Sequence, residues 1–162
     1  MTSIQQSGPI TPGHLVLWST TGVVQDGGAA PVGVRVLASA RSVNFNTVND
    51  QPIVIPQRVN AFRLTGILVT NASIGLTTAV GGFYPAASKG GTPIVFASQI
   101  YTMLTNNSLL LDLTLSSFGQ NTKFSSSNLS ALSGFLAIWF SLTTAQGAAA
   151  TADIYLTGLD LT

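Results

Sequence analysis

Any acid-base scheme in this chain must use His14, the only histidine, because the sequence has no cysteine and no glutamate and its carboxylates are Asp26, Asp50, Asp112, Asp153 and Asp160. A Ser-His-Asp relay needs that imidazole beside a serine on a tight strand-to-helix turn. No G-x-S-x-G stretch supplies one, and His14 simply opens an apolar run, HLVLW. Catalytic zinc takes three protein ligands, more than one histidine and scattered aspartates provide. Paired carboxylates for glycoside hydrolysis would have to be aspartates. The best placed, Asp112, alternates with Leu111 and Leu113 and reads as the solvent face of a strand, while Asp153 and Asp160 are expected to point outward or to meet an arginine of a neighbouring chain. Lys89-Gly90-Gly91 is a turn and not a phosphate loop, and no D-x-[DN]-x-[DN]-G calcium pattern occurs. The expectation is therefore no catalytic residue, no metal, no cofactor and no enzyme.

Binding chemistry has more material. Phe83, Tyr84 and Tyr101 flank a small polar loop, PAASKGGTP, that carries Lys89, one of two lysines. Aromatics beside a polar loop can stack on sugars, although core or interface packing is their simpler role. Tyr84 and Lys89 are thus the candidate residues of a receptor-facing loop.

The composition narrows the class. Charged residues make up 7% of the 162, six cations against five aspartates, for a net charge of +1, where an average chain of this size would carry about 40 charged residues. Without glutamate and with two lysines there is little to decorate exposed helices. Thr, Ser, Val, Ile, Leu, Gly and Asn are instead the residues of short strands and turns. The cations are spread from Arg35 to Lys123 without a basic stripe, so no nucleic acid is expected as partner. With 46% hydrophobic residues and so few charges, much of the surface is expected to be buried against other subunits. The N-terminal stretch MTSIQQSGPITPG has neither positive charge nor apolar core, so no cleavable signal is expected. The longest apolar run, Phe135 to Phe140, is too short for a membrane-spanning helix.

These features rest on strands. The first dozen residues, with Gly8, Pro9 and Pro12, favour extended chain and read as an arm. His14 to Trp18 follows as a short strand, then a connection with turn signals at Gly22 and Asp26-Gly27-Gly28. Val32, Val34, Val36 and Ala38 share one face of the next strand, with Arg35 opposite. After an Asn-rich connection and a proline-bracketed strand, Pro52–Pro56, a long strand places Phe62, Leu64, Gly66 and Leu68 on one side and Arg63, Thr65, Ile67 and Val69 on the other. A further strand breaks at Gly81-Gly82. The runs IVFAS and QIYTML fit two short strands or one short helix around Ser98 to Thr105. Leu109, Leu111, Leu113 and Leu115 alternate with Ser108, Leu110, Asp112 and Thr114, and residues 116–134 form a polar insertion. Two strands close the chain, FLAIWFSLTT, apolar on both faces, and TADIYLTGLDL. Short strands about ten residues apart predict an all-β fold, a β-sandwich of jelly-roll type or a related barrel. A composition shift near residue 55 divides an extended attachment region, 1–55, from the sandwich, 56–162.

The segment PGHLVLWSTTGVVQDGG resembles one near the N-terminus of structural proteins of tailed bacteriophages, a Trp, a short turn and V-x-D-x-G. GGFYPAASKGGTPIV and SLTTAQGAAATADIYL are similar to stretches of small virion proteins that decorate heads or build fibres. The resemblance implies a non-enzymatic virion protein, assembled in the host cytoplasm as a homotrimer. Its partners would be its own copies and the major capsid protein or another virion protein, gripped through the arm. His14, Leu15, Val16, Leu17 and Trp18 would add a strand to a neighbour, with Trp18 as a buried anchor and Asp26 in the turn that releases the chain. The other reading is a fibre module whose Tyr84 and Lys89 loop meets host surface glycans. Neither reading involves a membrane.

Overall fold

The computed structural model describes residues 33–162 and, before them, the backbone of three strands. These are β1 (Gln5–Ser7), β2 (His14–Trp18) and β3 (Val23–Ala29), in the order β1-β3-β2, with β1 parallel and β2 antiparallel to β3. The expected turn at Asp26-Gly27-Gly28 lies inside β3: Asp26 pairs with Val16, and Gly27-Gly28 fall where the register slips between His14 and Val16. A glycine pair there makes a bulge and lets the strand continue.

The chain divides between Val32 and Gly33, not near residue 55. Strands β4 (Val34–Asn44) and β5 (Gln51–Val54) belong to the C-terminal unit because their ladder partners are C-terminal. β4 pairs with β12 (Thr151–Asp160), and β5 pairs with β11 (Phe135–Thr144). Proline and asparagine content near residue 50 marks the connection between two paired strands and no domain edge.

Residues 33–162 form two antiparallel sheets. The larger runs β4-β12-β6, where β6 is Ala61–Thr70. Beyond β6 its edge is shared by β8 (Leu110–Leu113) and the two-residue β9 (Phe124–Ser125). The smaller is centred on β11, flanked by β5, by β7 (Val80–Tyr84) and by β10 (Ala131–Leu132). β10 and β11 are joined by Ser133-Gly134, both at positive φ (51° and 85°), the two-residue hairpin turn that matches strand twist. One apolar core is drawn from both sheets, and at its centre Phe140 packs against Phe45 and Phe83, with ring centroids 4.9 and 5.1 Å apart. Each fully buried side chain of this kind contributes about 1.5–3 kcal/mol.

Strict alternation fails in β4 and β6 because both carry bulges against β12. Thr65 is the extra residue in β6, so Phe62 and Leu64 are buried before it and Ile67 and Val69 after it, on what simple alternation made opposite faces. Leu37 is the extra residue in β4, which buries Leu37 and Ala38 and leaves Val34 and Val36 exposed at 62% and 54%. The expected break at Gly81-Gly82 is also absent. β7 runs through both glycines, which are there for close approach: a Cβ on Gly81 would lie 2.4 Å from Leu142 Cα, and one on Gly82 2.3 Å from the Val95 carbonyl oxygen.

The polar insertion is ordered. It holds β9, β10 and a short helix α1 (Ser117–Asn121) capped by Ser116, whose Oγ accepts from the Gly119 N–H at 3.1 Å and donates to the Pro93 carbonyl at 2.6 Å. Five residues are too few for a helical period to be legible. Residues 95–105 are neither helix nor regular strand. They lie along β7 through single bridges, Phe83 to Val95 and Val80 to Ile100.

Candidate functional site

The loop after β7 is held by its own backbone and by an aspartate from another connection. Ser88 and Lys89 both adopt left-handed φ, 58° and 55°, and the Gly90 N–H donates to the Ala87 carbonyl at 3.0 Å. Two consecutive left-handed residues under such a bond define a type I′ geometry usually given to Asn and Gly. The carboxylate of Asp50 accepts from the Ser88 N–H and fixes the turn from the side. Gly91, at φ 81°, closes the loop where a Cβ would meet the Pro85 ring at 2.6 Å. Lys89 is exposed at the tip. It is the only charged residue between Arg63 and Asp112 in the sequence, and the loop presents it at an exposed tip whose neighbouring residue, Ser88, is held by the Asp50 carboxylate.

Tyr84 does not share that exposure. It is 4% accessible, paired with Trp139 across the sheet, and burial, with the nearby Asp50 carboxylate, pushes its hydroxyl up in pKa. The expected receptor-facing pair is thus reduced to Lys89, because β7 still carries Tyr84 inward before the chain turns. Phe83 and Tyr101 are fully buried as well, and Tyr101 donates to the Gly81 carbonyl at 3.3 Å. No sugar-stacking platform forms from these three.

His14, Leu15, Val16, Leu17 and Trp18 lie in β2, and Asp26 in β3. Their side chains fall outside the described residues. Among the described residues the sheet order leaves β2 at an edge, with β3 on one side.

The aspartates of the terminal strand meet arginines of their own chain, in place of the neighbour expected. Asp153 is 8% exposed and accepts from the Ser42 N–H at 2.9 Å, Asn71 Nδ2 at 2.8 Å and Arg41 Nη1 at 2.7 Å. Burial alone would raise its pKa, but these donors outweigh burial and hold it below the ordinary value. Asp160 is likewise lowered, with Thr162 and Arg35 prevailing over burial. Both carboxylates are ionised at neutral pH, so neither can donate a proton there.

Sequence reasoning missed a cleft of about 430 Å³ on the larger sheet, lined by Arg63, Thr65, Asp112, Thr114 and Gln120 among others. It opens where β8 has ended and β9 has not begun, so β6 from Arg63 to Gly66 has no ladder partner on that side among the described residues. Arg63 Nε reaches across to the Gln120 carbonyl at 2.9 Å. Also unforeseen is Trp139 on β11, whose Nε1 is buried without a hydrogen-bond partner among the described residues.

Among the described residues, no group of three metal-ligating side chains occurs and no helix is long and apolar enough to cross a membrane. Comparison of the chain with protein-family models, with curated proteins and with solved structures finds no match.

Proposed function

We propose that this chain is a non-enzymatic structural protein of a tailed-bacteriophage virion. Its body is a sandwich of jelly-roll type that decorates or stabilises the capsid as a homotrimer, held through an N-terminal attachment segment. The observation that carries this reading is the division of the chain between Val32 and Gly33. The body's nine strands, β4 to β12, find their ladder partners within residues 33–162, as expected of a unit carried by a separate attachment piece. Among the described residues β2 is an edge strand of the N-terminal sheet, and an edge can grip a neighbour through main-chain hydrogen bonds. The partner is the major capsid protein or another virion protein, and no cofactor is required. The resemblance of the stretch from Pro12 to Gly28 to virion proteins points the same way.

Quantitative mass spectrometry of purified particles tests this. A copy number comparable to that of the major capsid protein is expected, and absence from particles would overturn the reading.

Lys89 favours a second reading, a fibre module that contacts host surface glycans. Its positive charge on a constrained exposed turn suits recognition of an acidic sugar. Lys89→Ala that abolishes adsorption while particles stay intact supports this reading, whereas fragile particles with normal adsorption support decoration.

A further inference from the structure

Three of the most exposed large apolar side chains lie within eight residues of one another. Phe96, Ile100 and Met103 are 58%, 55% and 71% accessible. Each directly precedes or follows a buried neighbour: Val95, Tyr101 and Leu104 are 1%, 0% and 0% accessible. The segment is pinned further by its bridges to β7, by Thr143 Oγ1 on the Ala97 carbonyl at 3.3 Å, and by the Leu76 N–H on the Leu104 carbonyl at 2.8 Å. The exposed side chains are therefore presented from fixed backbone, and little conformational freedom is lost when they are covered. Together they expose on the order of 350 Å², within the range of the largest patch on an ordinary monomer and near half of what one partner contributes to a standard interface. Ser98, Thr102, Asn106 and Asn107, exposed and uncharged, lie within and just beyond the same segment.

We propose that this segment is the contact between copies of the chain, with Phe96, Ile100 and Met103 meeting their equivalents around a symmetry axis. The charge pattern suits a second copy as the occupant. Near a symmetry axis each residue faces its own counterpart, so any charge there would meet a like charge. From Gly90 to Leu111 the sequence has no charged residue. A lipid surface is disfavoured by the same fact, since interfacial segments engage anionic headgroups through Lys and Arg. The inference rests on the proposed self-assembly only in taking the partner to be another copy.

The chain has no cysteine, so Met103→Cys in the full-length protein introduces a unique thiol at an exposed position. A short bismaleimide is expected to convert it to covalent dimers, whereas Val48→Cys, at a position 50% exposed outside this segment, is expected to stay monomeric on denaturing gels. In parallel, sedimentation of the full chain carrying Phe96→Ser, Ile100→Ser and Met103→Ser is expected to show dissociation at concentrations at least about tenfold above wild type. An oligomeric wild type whose Met103→Cys form does not cross-link overturns this inference and leaves self-assembly standing. A wild type that is monomeric at all concentrations, whether or not it floats with phosphatidylglycerol vesicles, overturns both. If the triple variant does not fold, the cross-link alone decides.

Discussion

The carboxylate of Asp153 accepts the N–H of Ser42 at 2.9 Å across a second bulge in β4, where Arg41 and Ser42 together oppose Asp153. Ser42 is at φ 52°, and Asn71, which donates to the same carboxylate at 2.8 Å, is at φ 54°. One side chain of β12 thus holds two left-handed positions, one within β4 and one just past the end of β6. Asp153→Ala removes the shared acceptor of the Ser42, Asn71 and Arg41 donors and is expected to cost about 1–2 kcal/mol in urea unfolding. Arg41→Ala removes only the ion-pair partner and is expected to lower the urea midpoint measurably less. Equal costs would show that the ion pair, and not the bulge, is what Asp153 supports.

The pH dependence follows from Asp153 and Asp160 on the acid side and from Tyr84 and Tyr101 on the alkaline side. Asp153 and Asp160 hold folded values below their ordinary 3.8, so the unfolded chain binds protons first as pH falls. Their stabilisation is present above about pH 4 and is lost as the folded carboxyls protonate. Tyr101 is raised above its ordinary 10.0 by burial, so stability falls as pH rises past 10, where the unfolded chain releases a proton that the folded chain keeps. Unfolding midpoints against pH should show both limbs, with the acid limb shallower in Asp153→Asn and the alkaline limb shallower in Tyr101→Phe.

Close approach and positive φ predict different glycine costs. Gly82→Ala drives a Cβ to 2.3 Å from the Val95 carbonyl oxygen, and Gly158→Ala drives one to 2.2 Å from that of Arg63. Backbone atoms cannot step aside cheaply, so each is expected to cost about 3 kcal/mol or more. Gly134→Ala, at φ 85° with nothing within 4 Å, is expected to cost about 1–2 kcal/mol through backbone strain alone. Thermal melts of the three variants check the order.

A chain beginning at Gly33 is expected to fold with an unfolding midpoint close to that of the full-length protein, since its sheets find their partners within residues 33–162. In the full chain Trp18→Phe leaves Trp139 as the sole tryptophan. Its fluorescence should then report the same transition in both forms, and divergent midpoints would show that the first 32 residues stabilise the body.

Strands β6, β11 and β12 were legible because long apolar or alternating runs leave few alternatives at those lengths. The bulges at Leu37 and Thr65 were not, because an extra residue swaps faces without altering composition, and so Val34 and Val36 read as sharing a face with Ala38. Gly81-Gly82 read as a break because a glycine pair signals a turn and a tight sheet contact equally well in sequence. Lys89 was legible as an exposed loop charge. Packing was the simpler reading of Tyr84, but an aromatic at a strand end gives no sign of which way it points, so the receptor-facing loop stayed open to it. The arginine partners of Asp153 and Asp160 lie 112 and 125 residues away along the chain, a distance across which residue types alone carry no pairing signal.

With so sparse a charge pattern, electrostatic screening by salt finds little to act on. Only the pairs of Arg35 with Asp160 and Arg41 with Asp153 are ion pairs among the described residues, and both reach the solvent, where screening leaves them little to lose. The protein's tolerance of the medium is decided instead by how water treats hydrocarbon. Sulfate and sugars tighten such a body, and chilling loosens any contact made through Phe96, Ile100 and Met103, because hydrophobic association weakens as temperature falls.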